Sequence, residues 1–346
     1  MKSWIILTAL MLASGVFAFA GGFERPPMET VQRGYRGLGM EEVENPRQLV
    51  AKLAANQLPE PVPAVDNSGT KASEVYSNVQ VLGDLDEAQF TRLMAAMTEW
   101  VSPEQGCNYC HTEDGDFASD GIYTKVVARR MLQMTQHLNS NWKTHVGATG
   151  VNCYTCHRGQ PVPTNIWFTD PGRPHAQGMA GNPAGQNAPA PGVGLASLPN
   201  DPFTPFLAGA NNIRVVSTTP VPGINRHSIK QTEWTYGLMM HMSNALGVNC
   251  TYCHNTRSFT SWDQSNPART TAWYGIRMLR DVNANYLEPL KPTFPHGRLG
   301  PLGDVPKANC TTCHQGAYKP LYGASMLADY PELGPSGQAG TTPAPQ

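Results

Sequence analysis

Cys107-Asn108-Tyr109-Cys110-His111 is the first of four stretches of one form. The others are Cys153-Tyr154-Thr155-Cys156-His157, Cys250-Thr251-Tyr252-Cys253-His254 and Cys310-Thr311-Thr312-Cys313-His314, and together they use all eight cysteines of the chain. Cys-x-x-Cys-His is the signature of c-type haem attachment. The two thiols form thioethers with the haem vinyls, and the adjacent histidine supplies an axial nitrogen to the iron. Disulfides give no reason for a histidine at the same offset in every pair. Zinc sites of the paired Cys-x-x-Cys type give none either, and a redox dithiol would occur once. The expectation is four covalently attached c-type haems, with His111, His157, His254 and His314 as proximal ligands.

The rest of the composition is compatible with that. The chain has 346 residues, room for two domains. Its net charge is −1 with 15% charged residues, which argues against a nucleic-acid binder. Each haem would add two propionates, so the loaded protein is more acidic than the sequence alone. Thirty-three glycines and thirty prolines imply long irregular segments. Such a chain needs something besides a large apolar core to hold it.

Residues 1–23 read as an N-terminal transmembrane anchor or signal segment. No charge falls between Lys2 and Glu24, about the 20 residues that cross a bilayer. Ala18-Phe19-Ala20 is also an acceptable signal-peptidase site. Either reading puts the remaining chain on the periplasmic side, and the retained anchor is preferred.

Residues 24–78 read as a Pro-rich extended arm. A first dihaem half comes next, over 79–165. Asp84 is the expected cap of a helix carrying Phe90, Leu93, Met94, Met97 and Val101 and ended by Pro103. A second helix is expected over about 123–139. Residues 166–212 form a Gly/Pro-rich linker. The second half, 213–334, repeats the plan with helices at about 232–246 and 270–287. Gly247-Val248-Asn249-Cys250 echoes Gly150-Val151-Asn152-Cys153, and Gly275-Ile276-Arg277-Met278-Leu279 echoes Ala128-Arg129-Arg130-Met131-Leu132. Residues 335–346 read as a disordered tail. The fold class is therefore mainly α with long irregular segments, a multihaem cytochrome c of two pseudo-two-fold-related dihaem halves.

The second axial ligand separates a closed electron carrier from a catalyst with an open iron. By position alone, the first helix offers Met94 or Met97 and the second Met131 or Met134. The third offers Met239, Met240, Met242 or His241, and repeat logic offers Met278 for the fourth haem.

Several segments outside these motifs resemble one family. They include Val81-Leu82-Gly83-Asp84, Glu99-Trp100-Val101-Ser102-Pro103, Val127-Ala128-Arg129-Arg130-Met131, Cys156-His157-Arg158-Gly159, Asp201-Pro202-Phe203-Thr204, Trp273-Tyr274-Gly275-Ile276-Arg277-Met278 and Asp329-Tyr330-Pro331-Glu332-Leu333-Gly334. The chain resembles the tetrahaem cytochrome c subunit of the photosynthetic reaction centre of purple and related bacteria. The resemblance covers about 79–165 and 200–334.

It implies Met94 with His111, Met131 with His157 and Met239 with His254. The fourth haem, on His314, would take His145 from the other half, which returns Met278 to the core. The haems would form a row in the order 1-2-4-3. A soluble cytochrome c or high-potential iron–sulfur protein would refill the far end, and haem 3 would re-reduce the bacteriochlorophyll special pair held by the L and M subunits. Light-harvesting proteins are candidate neighbours. Arg130, Arg269 and Arg277 are candidates for holding propionates.

The resemblance has one gap: Gly22 stands where many members carry a lipidated cysteine, before Phe23-Glu24-Arg25-Pro26-Pro27. A retained N-terminal helix would replace the lipid. The expected role is electron carriage rather than enzymatic catalysis. The alternative is a respiratory or extracellular multihaem electron-transfer cytochrome.

Overall fold

A computed structural model describes residues 2–20, 28–32, 41–66, 68–170, 190–215 and 229–335. Numbered in chain order, its first elements are α1 (Lys2–Ala20), β1 (Glu29–Val31), β2 (Glu42–Glu44), α2 (Pro46–Ala55), α3 (Ala72–Val75), α4 (Glu87–Val101), α5 (Tyr123–Asn141), α6 (Lys143–Val146) and α7 (Cys153–His157). Then come β3 (Ile166–Trp167), α8 (Ile229–Leu246), α9 (Pro267–Asp281), β4 (Lys307–Ala308) and α10 (Cys310–His314). Among the described residues, sheet is limited to the antiparallel pairs β1–β2 and β3–β4. The expectation of a mainly helical chain holds.

The long helices start and stop for local reasons. Asp86, not the expected Asp84, caps α4: its carboxylate accepts the Ala88 N–H at 2.8 Å. Asp84 instead points to solvent and pairs with Lys71 at 3.2 Å. Ser102-Pro103 ends α4, since the residue before a proline is driven out of helical geometry. Asn266 caps α9, with Pro267 in its first turn. That helix continues into a π-turn over Val282–Leu287.

Two apolar clusters organise the core, and a third bridges them. Leu93, Ala96 and Trp100 of α4 pack with Leu132, Cys153, Tyr330 and Leu333. Trp167, Phe203, Phe206 and Leu207 pack with Leu238 of α8 and with Ile276 and Leu279 of α9. Leu138 and Val151 meet Met278 and Val282 in the bridge. Met278 is thus a buried core residue on the side of α9 that meets α5, at the edge of a large cavity.

The first cluster draws in both flanks of the chain. The Tyr330 ring stands edge-on to Trp100 with centroids 4.6 Å apart, and its hydroxyl accepts the Val62 N–H at 3.0 Å. The Arg92 guanidinium lies 4.2 Å over that ring and donates to the carbonyls of Val62 and Asp329. Residues 24–78 are therefore not simply extended. β1 and β2 pair with Glu29 opposite Glu44, and Asn45 caps α2 by accepting the Arg47 N–H. Proline content alone gave no sign of these elements.

Part of the expected linker is ordered. β3 pairs with β4, Ile166 opposite Ala308, immediately before the fourth motif. Residues 171–189 and the tail from 336 lie outside the described residues. In α1 the side chains are described from Trp4 to Phe17, and most of them are exposed. Among the described residues, no helix is long and apolar enough to cross a membrane.

Candidate functional site

All four Cys-x-x-Cys-His motifs fold as tight turns, of two kinds. The first and third contain 3-10 turns, Gly106–Tyr109 and Cys250–Tyr252. In each, the histidine N–H returns to the first cysteine's carbonyl, at 3.0 Å for His111 and 2.9 Å for His254. The second and fourth are the short helices α7 and α10. Each opens on a capping box: Asn152 or Asn309 accepts the N–H of Thr155 or Thr312, whose hydroxyl accepts the asparagine's own N–H. Either turn places cysteines three residues apart on one side, with the histidine next in line.

The residues after α7 and α10 also match. Arg158 and Gln315 take left-handed geometry with φ of 52° and 48°. The next glycine then bonds the end of a long helix: Gly159 donates to the Trp100 carbonyl of α4 at 2.9 Å, and Gly316 to the Ala245 carbonyl of α8 at 2.8 Å. A buried asparagine grips the approach to each helix. Asn139 accepts the Val151 N–H at 2.8 Å and donates to the Val151 carbonyl at 2.9 Å. Asn283 does the same to Ala308, at 2.9 and 3.0 Å. The Gly-Val-Asn echo at 150 and 247 therefore joins positions that fold differently, because Asn249 caps a 3-10 turn whereas Asn152 corresponds to Asn309.

Three of the four motif histidines are oriented through Nδ1. His157 and His314 bond the carbonyls three residues on, Gln160 at 2.8 Å and Ala317 at 2.9 Å. His254 bonds the Phe259 carbonyl at 3.1 Å and stacks on that ring. At His111 the Phe117 backbone is close enough to favour a proton on the ring, but Nδ1 is buried without a hydrogen-bond partner. Fixing Nδ1 leaves Nε2 to face a metal, the usual arrangement around a ligating histidine. Burial pushes all four rings below the ordinary histidine range, His314 to about 4. Neutral imidazole is the ligating form.

The turns border a cavity of about 1590 Å³, larger than the roughly 300–1,000 Å³ of an ordinary small-molecule pocket. Its walls include Met94, Met131, His145 and the first, second and fourth motifs. Met239 and the third motif's Cys250, Cys253 and His254 do not line it. On α8, His241 shares the buried face of Leu238 and Ala245, edge-on to Phe203 with centroids 4.5 Å apart. That turns it away from Met242 and Leu246, which do face the cavity.

His145 comes from α6 and its ring lies near that of His314. Their ring centroids are 6.1 Å apart. Two imidazoles bound on opposite sides of one metal, each at about 2 Å, would have centroids roughly 6 Å apart. The His145 Nδ1 is held by the Thr271 carbonyl at 2.9 Å, again leaving Nε2 free.

The motif thiols sit in apolar surroundings. Burial pushes Cys110 and Cys253 up to about 11 and Cys153 and Cys310 up to about 12. Zinc takes thiolate, whereas thioethers are neutral and tolerate apolar surroundings. Among the described residues, no three His, Cys, Asp or Glu side chains converge on one point.

The expected propionate arginines have protein partners. Arg130 donates to the Asn285 carbonyl at 2.5 Å, Arg269 to the Ser261 carbonyl at 2.7 Å and lies 4.1 Å over Trp262, and Arg277 lies 4.6 Å over Trp273. Sequence reasoning missed Arg158. Its Nη2 donates to Asn56 at 3.1 Å, while Nε and Nη1 are buried without partners beside the second and fourth motifs. Its place directly after a motif histidine was the available signal. Asn139 and Asn283 were also missed, as asparagines in helical stretches give no local sign of such a grip.

Thiol pairs on turns, oriented histidines and a large methionine-lined cavity define a c-type cytochrome, an electron carrier rather than an enzyme. The chain belongs to the family of photosynthetic reaction centre cytochrome c subunits, whose model matches residues 24–334. It is 58% identical over 331 residues to the photosynthetic reaction center cytochrome c subunit of Rubrivivax gelatinosus (strain NBRC 100245 / IL144), covering 95% of this chain and 90% of that one. The subunit of the same name from Thermochromatium tepidum is 54% identical over 329 residues, 95% of this chain and 80% of that one. That of Roseobacter denitrificans (strain ATCC 33942 / OCh 114) is 43% identical over 318 residues, 88% and 85%. The protein is an electron-transfer subunit of a photosynthetic reaction centre, with covalently bound c-type haem and an association with the membrane.

Proposed function

We propose that the chain holds four haems, one per motif, and relays electrons from a soluble donor to the photo-oxidised special pair. Cys107/Cys110, Cys153/Cys156, Cys250/Cys253 and Cys310/Cys313 hold the haem edges. His111, His157 and His254 pair with Met94, Met131 and Met239, and His314 pairs with His145. The single observation that carries this reading is the 6.1 Å approach of the His145 and His314 rings. Each ring has its Nδ1 committed to a carbonyl. Bound haem would supply the one-electron chemistry, at a potential that these ligands and their burial would set. The methionines and His145 would close the distal positions, and the apolar walls around Met94, Met131 and His145 would limit water at three of them.

The matching environments of α7 and α10 favour two related dihaem halves, the first motif corresponding to the third and the second to the fourth. Arg158, with two unpartnered nitrogens, suits a haem carboxylate. On the periplasmic face, docking on the L and M subunits would place the third motif towards the special pair. A soluble cytochrome or high-potential iron–sulfur protein would meet the other end, and light-harvesting proteins would flank the subunit.

The N-terminal segment is assigned as an uncleaved anchor: α1 is followed by a chain with no cysteine free for lipidation. A mature N-terminus near Gly21, found by mass spectrometry, would overturn the anchor. A flash experiment on membranes tests the function itself. Haem α-band bleaching that follows special-pair oxidation is expected, and its absence would point to a respiratory or extracellular cytochrome.

A further inference from the structure

Gly275 lies buried in the middle of α9. Its backbone is ordinary helix, so geometry does not require glycine there, and glycine is a poor helix residue. The surroundings explain the choice. A Cβ at 275 would lie 2.5 Å from Cε1, 2.9 Å from Nδ1 and 3.2 Å from Nε2 of His145. The His145 ring rests on the bare backbone of α9, bonded to the carbonyl of Thr271 one turn earlier. In a regular helix that same carbonyl receives the N–H of residue 275. Any side chain at 275 would displace the ring from both contacts.

The two asparagine grips fix which positions correspond. Met131 precedes Asn139 by eight residues along α5, and Gly275 precedes Asn283 by eight along α9. Each asparagine clamps the backbone two residues before a motif's first cysteine, Cys153 or Cys310. In that frame the counterpart of Met131 is Gly275 rather than Met278, whose side chain lies in the bridging cluster.

We infer that Gly275 is the residue that assigns His145 to the fourth haem: by removing the side chain its own helix would have offered, it opens the seat for a histidine from the other half. Gly275 is a positioning residue acting through His145. It sets one haem apart from three methionine-ligated ones, and methionine is the ligand that raises potential. The inference rests on the reading that His145 and His314 share one haem.

The test uses the full subunit in its reaction centre, with Gly275→Ala, Gly275→Met, His145→Met and the control Gly237→Ala. Gly237 is a helix glycine whose added Cβ would meet Val193 at an ordinary 3.4 Å. Redox titration, electron paramagnetic resonance and the near-infrared methionine-to-iron band are read for each. G275A should shift one midpoint potential and alter the bis-histidine signal while the other three haems stay put. G275M should raise one potential and increase the methionine band by about a third, from three haems to four. G237A should change neither.

If G275A keeps all four potentials and the bis-histidine signal while H145M shifts one haem, Gly275 does not position the ligand. If H145M itself shifts nothing, the underlying ligand assignment fails instead. Should G275A load fewer than four haems, His145→Gly with Gly275→Met decides. Appearance of the fourth methionine band supports the equivalence with Met131, and its absence overturns it.

Discussion

Cys156 Sγ lies 2.7 Å from Cys313 Sγ. The second and fourth motifs, far apart in the chain, meet at their second cysteines. The two thiols share a hydrogen bond, which with the nearby Arg158 charge holds the Cys313 thiol below its usual range; the same contact and burial push Cys156 up. A sulfur already in contact with a second sulfur needs little movement to form a disulfide. Subunit made without haem attachment should, on mild oxidation, yield a Cys156–Cys313 disulfide as its dominant cross-link by peptide mass spectrometry. Loaded subunit should yield none. A dominant pairing within a single motif would contradict the contact.

Asn139 and Asn283 bind three backbone groups each, the third being the Leu333 carbonyl at 2.7 Å and the Leu207 carbonyl at 3.0 Å. Replacing either by alanine strands buried polar groups, at about 1–3 kcal/mol per group left without a partner. N139A should lower the thermal midpoint and loosen the haem proposed for the second motif, seen as a broadened redox wave. N283A should do the same at the fourth.

Tyr330 separates packing from hydrogen bonding. Tyr330→Phe loses the bond from the Val62 N–H, for about 1 kcal/mol. Tyr330→Ala also removes the ring from Trp100 and Arg92, and large-to-small changes of this kind cost about 3–5 kcal/mol. Denaturant titration of the purified complex should rank the variants in that order. Equal losses would mean that the ring contributes nothing beyond its hydroxyl.

The loop beside His111 should carry a pH dependence. The Arg129 side chain, with help from Lys125, holds Asp120 down to about 2. A carboxylate depressed on folding contributes stability that is complete above its unfolded pKa of about 3.9. That contribution is lost as pH falls through the folded value. The window is therefore about pH 4 to 2, and screening keeps the effect small because the pair is partly exposed. Asp120→Asn should flatten the acid dependence of proteolysis in the loop 112–120 across that window. An unchanged slope would remove Asp120 as the cause.

Local features were the ones legible in the sequence. The four attachment motifs, the helices around Leu93, Val127, Leu238 and Ile276, and the family segments are each written within a few turns of chain. Correspondence between the halves was harder to read. The strongest letter match paired Met131 with Met278, but register is set by Asn283, whose partner Ala308 is 25 positions away. The seat of His145 against Gly275 depends on a contact between α6 and α9 that no window of sequence contains. The helix α2 was hidden by the prolines around it, although Pro46 at a helix start is a promoter rather than a breaker.

The packing of Tyr330 and Leu333 onto Trp100 and Leu93 has a consequence for biogenesis. A chain made from its N-terminus contains the first two motifs long before residue 333 is added. Until then the wall behind them is unfinished. The Pro331–Leu333 turn thus completes the first apolar cluster from the far end of the described chain, so that this half of the molecule depends on residues made after the other half.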